Sequence, residues 1–132
     1  MRYPIPRYDL NLTSQTLSDT YTTIYYFSGI GYLQYFEVNF SDSGWKLKLT
    51  IDGIDAFELS EQDLSNFNFV NVDNATEVKG NIFIKNTGKD LYFEPKQGLF
   101  FQSSVEIQAK RETTTSPNCA RILVHYIEEV EA

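Results

Sequence analysis

Trp45-Lys-Leu-Lys-Leu-Thr-Ile51 alternates apolar and polar side chains without a break, and Asp52-Gly53 follows at once. Alternation with a period of two puts Trp45, Leu47, Leu49 and Ile51 on one face and Lys46, Lys48 and Thr50 on the other, the pattern of a half-buried strand. Asp-Gly after such a run signals a two-residue hairpin turn, because both turn positions need φ > 0. The chain therefore doubles back at 52–53, and residues 54–59 form the return strand with Phe57 and Leu59 toward the core. A hairpin with one dry face must bury that face against a second layer.

The acids that follow, in TIDGIDAFELSEQDL from Thr50 to Leu64, admit three readings: a metal loop, a catalytic cluster, or folding instructions. A helix-loop-helix calcium site needs oxygen ligands at alternate positions, with Gly sixth and Glu twelfth. This stretch lacks that spacing. Ser60 and Asp63 instead resemble a capping box with Asp in place of the usual Glu or Gln, which predicts one helical turn over 61–66. Glu61 and Asp63 then sit at a helix N-terminus, where negative charge is favoured. Asp52 serves the hairpin turn, Asp55 and Glu58 face water, and no metal site is expected.

Similar patterning marks strands over 20–27, 32–40, 67–72, 78–85, 90–94, 99–110 and 120–128. Turns or loops separate them at 29–31, 41–44, 73–76, 86–88 and 112–118. In the C-terminal strands Val105, Ile107 and Ala109, then Ile122, Val124 and Tyr126, point inward. Ten Phe, nine Tyr and one Trp fit strands better than helices. With 132 residues for one domain, the expected fold is all-β: a single β-sandwich of the jelly-roll kind with one short helical turn.

Residues 1–19 read differently from the sandwich at 20–132. Arg2-Tyr-Pro-Ile-Pro-Arg-Tyr8 contains two prolines, which deny it ladder hydrogen bonds and favour an extended arm. Arg2 and Arg7 give residues 1–8 a charge of +2, so residues 9–132 carry −9 of the net −7. A basic arm bearing Tyr3, Ile5 and Tyr8 on an acidic body is suited to lie on a neighbouring subunit or on its own sandwich. Arg2, Tyr3, Ile5, Arg7 and Tyr8 are thus the candidate partner-binding residues.

Negative charge disfavours nucleic acid as a partner, since phosphate binding needs clustered Lys and Arg. No run reaches the ~18 apolar residues of a membrane helix, and residues 1–12 carry no signal-peptide core. Synthesis and retention in the cytoplasm of the producing cell are expected unless the chain leaves in a particle. Cys119, the only cysteine, excludes an intrachain disulfide and has no nucleophile signature around it. His125, the only histidine, lies on the outward side of its strand with no second ligand nearby in sequence. There is no Gly-rich phosphate loop and no Gly-x-Ser-x-Gly elbow. No catalytic residues, cofactor or metal are expected, although two of the eighteen acids meeting in space remain open as a glycosidase pair.

Four segments, Gly29-Ile-Gly-Tyr-Leu33, Leu47-Lys-Leu-Thr-Ile-Asp-Gly53, Phe57-Glu-Leu-Ser-Glu-Gln-Asp-Leu64 and Phe100-Phe-Gln-Ser-Ser-Val-Glu-Ile107, together resemble the small β-sandwich structural proteins of tailed bacteriophages. The resemblance spans 29–107. It implies a non-enzymatic virion component made in the host cytoplasm, such as a capsid decoration protein, and brings no enzymatic residues with it. The implied partners are other virion proteins, the major capsid protein or tail proteins, and further copies of the chain in a symmetric homo-oligomer such as a trimer. The alternative is a tail-associated carbohydrate- or receptor-binding module, with Tyr25, Tyr26, Tyr32, Tyr35 and Tyr92 as candidate stacking residues.

Overall fold

The computed structural model describes residues 1–11, 14–67, 69, 81–112 and 117–131. In chain order these form β1 (Arg2–Asn11), β2 (Gln15–Thr16), β3 (Thr22–Ser28), β4 (Gly31–Phe40), β5 (Trp45–Ile51) and β6 (Ile54–Ser60). Then come α1 (Glu61–Asn66), β7 (Ile82–Lys85), β8 (Asp90–Phe93), β9 (Leu99–Phe101), β10 (Ser104–Arg111) and β11 (Asn118–Glu131). The larger sheet runs β1-β11-β4-β8-β7, with β2 beside β11 and β9 beside β4; the smaller runs β3-β10-β5-β6. Every pairing is antiparallel, and the two sheets pack face to face as an all-β sandwich.

Alternation places the core as the sequence implies. Trp45, Leu47 and Leu49 of β5 meet Phe36 and Val38 of β4, Val105, Ile107 and Ala109 of β10, and Ile122, Val124 and Tyr126 of β11 in one buried cluster. Trp45 stacks on Phe40 with ring centres 4.8 Å apart, and its indole N–H donates to the Gly88 carbonyl at 2.8 Å. That bond satisfies the one polar atom of the largest core side chain. Gly88 ends the turn 86–88, where Asn86, Thr87 and Gly88 all have positive φ.

The hairpin turns at Asp52 (φ 54°) and Gly53 (φ 79°). At α1 the capping box is complete: Ser60 Oγ accepts from the Asp63 N–H at 3.0 Å, and Asp63 Oδ2 accepts from the Ser60 N–H at 2.9 Å. Asp is shorter than Glu yet still closes the reciprocal pair, and it anchors the turn that buries Leu64.

Two expectations need correction, and others lie outside the described residues. The strand over 99–110 breaks at Gln102–Ser103, so β9 joins the larger sheet and β10 the smaller. The expected strand over 67–72 falls largely outside the described residues, as do the loop over 73–76 and the first three residues of the strand over 78–85, whose last four residues form β7. The prolines do not keep the first eleven residues out of a ladder: of the two placements expected for the arm, β1 lies on its own sandwich and pairs residue by residue with β11 from Arg2↔Glu131 to Asn11↔Ile122. Pro4 and Pro6 are two apart, so their missing N–H groups fall on one side of the strand, and a free sheet edge is where that loss costs no ladder bond.

Candidate functional site

Register arranges the outward side chains of the larger sheet in rows across its strands. One row reads Leu10, Leu123, Glu37, Tyr92 and Phe83 along β1-β11-β4-β8-β7. Beside it lie Tyr8, His125 and Tyr35 on one side, and Arg121, Asn39, Asp90 and Lys85 on the other. Tyr8 stacks on His125 with centroids 4.2 Å apart and planes within 5°, and Phe83 stacks on Tyr92 at 5.1 Å. Farther along, Pro6, Ile127, Tyr32 and Phe100 share a row.

Two β-bulges set this pattern. The β11–β4 register shifts between Cys119 and Arg121 and again between His125 and Tyr126. In the first, Ala120 is the extra residue, so Cys119 and Ile122 are both buried while Arg121 turns outward. In the second, Gln34 is extra, which lets Tyr32 and Tyr35 share a face although an odd spacing separates them. Bulges re-aim side chains in this way.

At the centre of the face Leu10, Glu37, Asn39, Arg121 and Leu123 line a depression of about 260 Å3. A hydrogen-bond chain crosses it. Arg121 Nε donates to Asn39 Oδ1, Asn39 Nδ2 donates to Glu37 Oε2 at 3.1 Å, and the Tyr35 hydroxyl donates to Glu37 Oε1 at 3.0 Å. The Tyr35 phenol is held well above its ordinary range, first by burial and then by its bond to Glu37. It therefore stays a neutral donor, and the Glu37 carboxylate it faces keeps both oxygens as acceptors.

The opposite face of the sandwich is unlike this one. Lys46, Lys48 and Thr50 of β5, Glu106 of β10 and Glu58 of β6 point outward there. Lys48 sits 4.4 Å over the ring of Tyr21, whose hydroxyl donates to Glu58 at 2.5 Å. Tyr26 is exposed on this charged side, paired with Glu106. Of the five candidate stacking tyrosines, Tyr32, Tyr35 and Tyr92 therefore come together on the larger sheet and Tyr26 does not. Nor does Tyr25, which is partly buried and donates its hydroxyl to Asp9 Oδ2 at 2.7 Å.

The five candidate partner-binding residues all lie on β1. Arg2 and Arg7 pair with Glu131 at 3.3 Å and Glu128 at 2.9 Å, exposed bridges worth ~0.2–1 kcal/mol each. Ile5 is half-buried, whereas Tyr3 is 50% exposed and Tyr8 67% exposed. Asp9, which sequence reasoning passed over, joins β1 to the second sheet through Tyr25. Its signal was present only as a carboxylate in a segment otherwise read as basic.

The acids around Gly53 diverge. Asp52 accepts four donors from 102–104, Asp55 accepts from the Thr50 hydroxyl at 3.3 Å, and Glu58 takes Tyr21. Among the described residues no group of three His, Cys, Asp or Glu is placed to hold a metal ion. Cys119 is buried, and burial pushes its thiol up to about 11, away from nucleophilic use at neutral pH.

Fold and surface together define an all-β sandwich with one charged outer face and one patterned with aromatic and mixed polar groups. No family model matches the chain, and no curated protein matches it.

Proposed function

We propose that this chain is a non-enzymatic structural protein of a tailed-phage particle, a capsid decoration protein that attaches to neighbouring virion subunits through β1. One observation carries the proposal. Of the nine large hydrophobic side chains exposed among the described residues, four (Met1, Tyr3, Tyr8 and Leu10) fall within residues 1–10. Exposed apolar groups gathered along one edge strand, Tyr3 on one face of it and Tyr8 and Leu10 on the other, support reading that edge as an interaction surface. The ladder to β11 and the Asp9–Tyr25 bond hold the backbone of β1 in place, which lowers the ordering entropy that opposes docking. The orders β1-β11-β4-β8 and β3-β10-β5-β6 support reading the sandwich as a jelly roll, an architecture used in viral capsid and lectin domains.

The test is to purify particles from producing cells and probe them with an antibody to the chain. The parent should co-purify at fixed stoichiometry and the Tyr3→Ser, Tyr8→Ser double variant should be depleted. Particles free of the parent chain would overturn the proposal.

A second reading, glycan binding at the phage tail, is favoured by Tyr32, Tyr35 and Tyr92 sharing the outer face with a polar depression. Binding of the parent to a glycan array tests it.

A further inference from the structure

We propose that the depression bounded by Leu10, Glu37, Asn39, Arg121 and Leu123 is a subsite for one neutral hexose ring of a surface glycan. The inference rests on the second reading above and supplies its site and ligand class.

The hydrogen-bond chain fixes what the depression offers. The Asn39 amide is oriented from both ends, its oxygen toward Arg121 and its nitrogen toward Glu37. Glu37 takes donors from Tyr35, from Asn39 and, across the ladder, from Tyr92, and a carboxylate with roughly four acceptor positions keeps one for a ligand. The Arg121 side chain is exposed, lines the depression and bonds Asn39 through Nε, and its Nη groups are further donors. Acceptors and donors thus stand side by side. A pair of neighbouring sugar hydroxyls, each able to donate and accept, matches that order.

Leu10, 58% exposed, and Leu123 beside it form an apolar wall for the C–H face of the ring. The volume of about 260 Å3 lies just under the ~300 Å3 at which sites for drug-sized ligands begin, which suits one ring. Charge selects a neutral ligand. Glu37 and Arg121 offset one another, and the net charge of −7 opposes polyanionic glycans. The Tyr8–His125 and Phe83–Tyr92 stacks flank the depression, and of these four rings Tyr8, 67% exposed, is the one open to an adjoining sugar unit. All these groups sit on paired strands, which keeps the site preorganised.

The experiment is an amide-resolved NMR titration of the intact chain with D-glucose, D-galactose, D-mannose, N-acetylglucosamine and, as the acidic comparator, N-acetylneuraminic acid. At least one neutral hexose should shift the amides of residues 37, 39, 121 and 123. Asn39→Ala and Arg121→Lys should each weaken its binding about tenfold, and Tyr26→Ser, on the opposite face, should not. The shift map of the parent decides the site even if a variant fails to fold. Hexose binding that shifts other residues overturns the subsite and leaves the glycan reading intact. Binding of the acidic sugar alone overturns the ligand class. Absence of binding to all five, with a flat glycan array, overturns both.

Discussion

Asp52→Asn removes one charge and replaces Oδ2, which shares the Gln102 N–H at 2.9 Å, with an NH2 that cannot accept it. Asn tolerates the positive φ of this turn position, and its Oδ1 can stand where Asp52 Oδ1 accepts the N–H groups of Gln102 at 3.0 Å, Ser103 at 2.7 Å and Ser104 at 3.0 Å. Those bonds, Gln102 and Ser103 first, hold the Asp52 carboxyl down from its ordinary 3.8 to about 2. That fall amounts to ~2.4 kcal/mol at neutral pH. Asp52 is only partly buried, and screening by water reduces the figure to ~1 kcal/mol. The sign follows from the direction of the shift. A folded-state value below the unfolded one stabilises fully above about pH 4, and the contribution is lost as pH falls toward about 2. Urea denaturation of parent and variant at a series of pH values isolates it, because the other acids cancel in the difference. The variant should be less stable by ~1 kcal/mol at pH 7, roughly 3–5 °C in Tm, and the two should converge near pH 2. A gap that is absent at pH 7, or that persists unchanged to pH 2, refutes the reasoning.

Gly31→Ala should cost roughly 2–4 kcal/mol, since a Cβ there overlaps the Ile127 carbonyl oxygen and presses on the Phe101 ring. Denaturant unfolding checks it, and an unchanged midpoint would show that the β4–β11 ladder yields at little cost. Pro4→Val combined with Pro6→Val restores two N–H donors on the free edge of β1 and should promote edge-to-edge association. Light scattering should find larger, concentration-dependent species than for the parent.

The elements legible in the sequence are those whose cause is local. Strand β5, the turn at Asp52 and the capping box at Ser60 each follow from residues within a few positions of one another, and strict alternation identified the inward side chains of β10 and β11. What escaped depends on distant partners. Nothing within 99–110 marks Gln102–Ser103 as a corner, because the group that stabilises the bend is the Asp52 carboxylate, fifty residues away in sequence. The bulges at Gln34 and Ala120 are similar. Each adds one residue to one side of a ladder, so it exists only relative to the opposing strand, and it is what gathers Tyr32 with Tyr35 and turns Arg121 outward. The Arg121–Asn39–Glu37 chain was unreadable for that reason.

The placement of β1 also changes which experiment can address attachment. Deleting residues 1–19 would strip the partner from β11 and bare a long row of its N–H and C=O groups, so lost incorporation would report damage to the sheet as readily as a lost interface. Substitutions that leave the backbone paired avoid that confusion. Tyr3 shares a face with Val130 on the parity that points toward the second sheet, whereas Asn39 and Arg121 point the opposite way. The two surfaces share Tyr8 and Leu10 yet can be told apart by side chains that belong to one alone: Tyr3→Ser should weaken particle attachment and leave the depression intact, and Asn39→Ala should do the reverse.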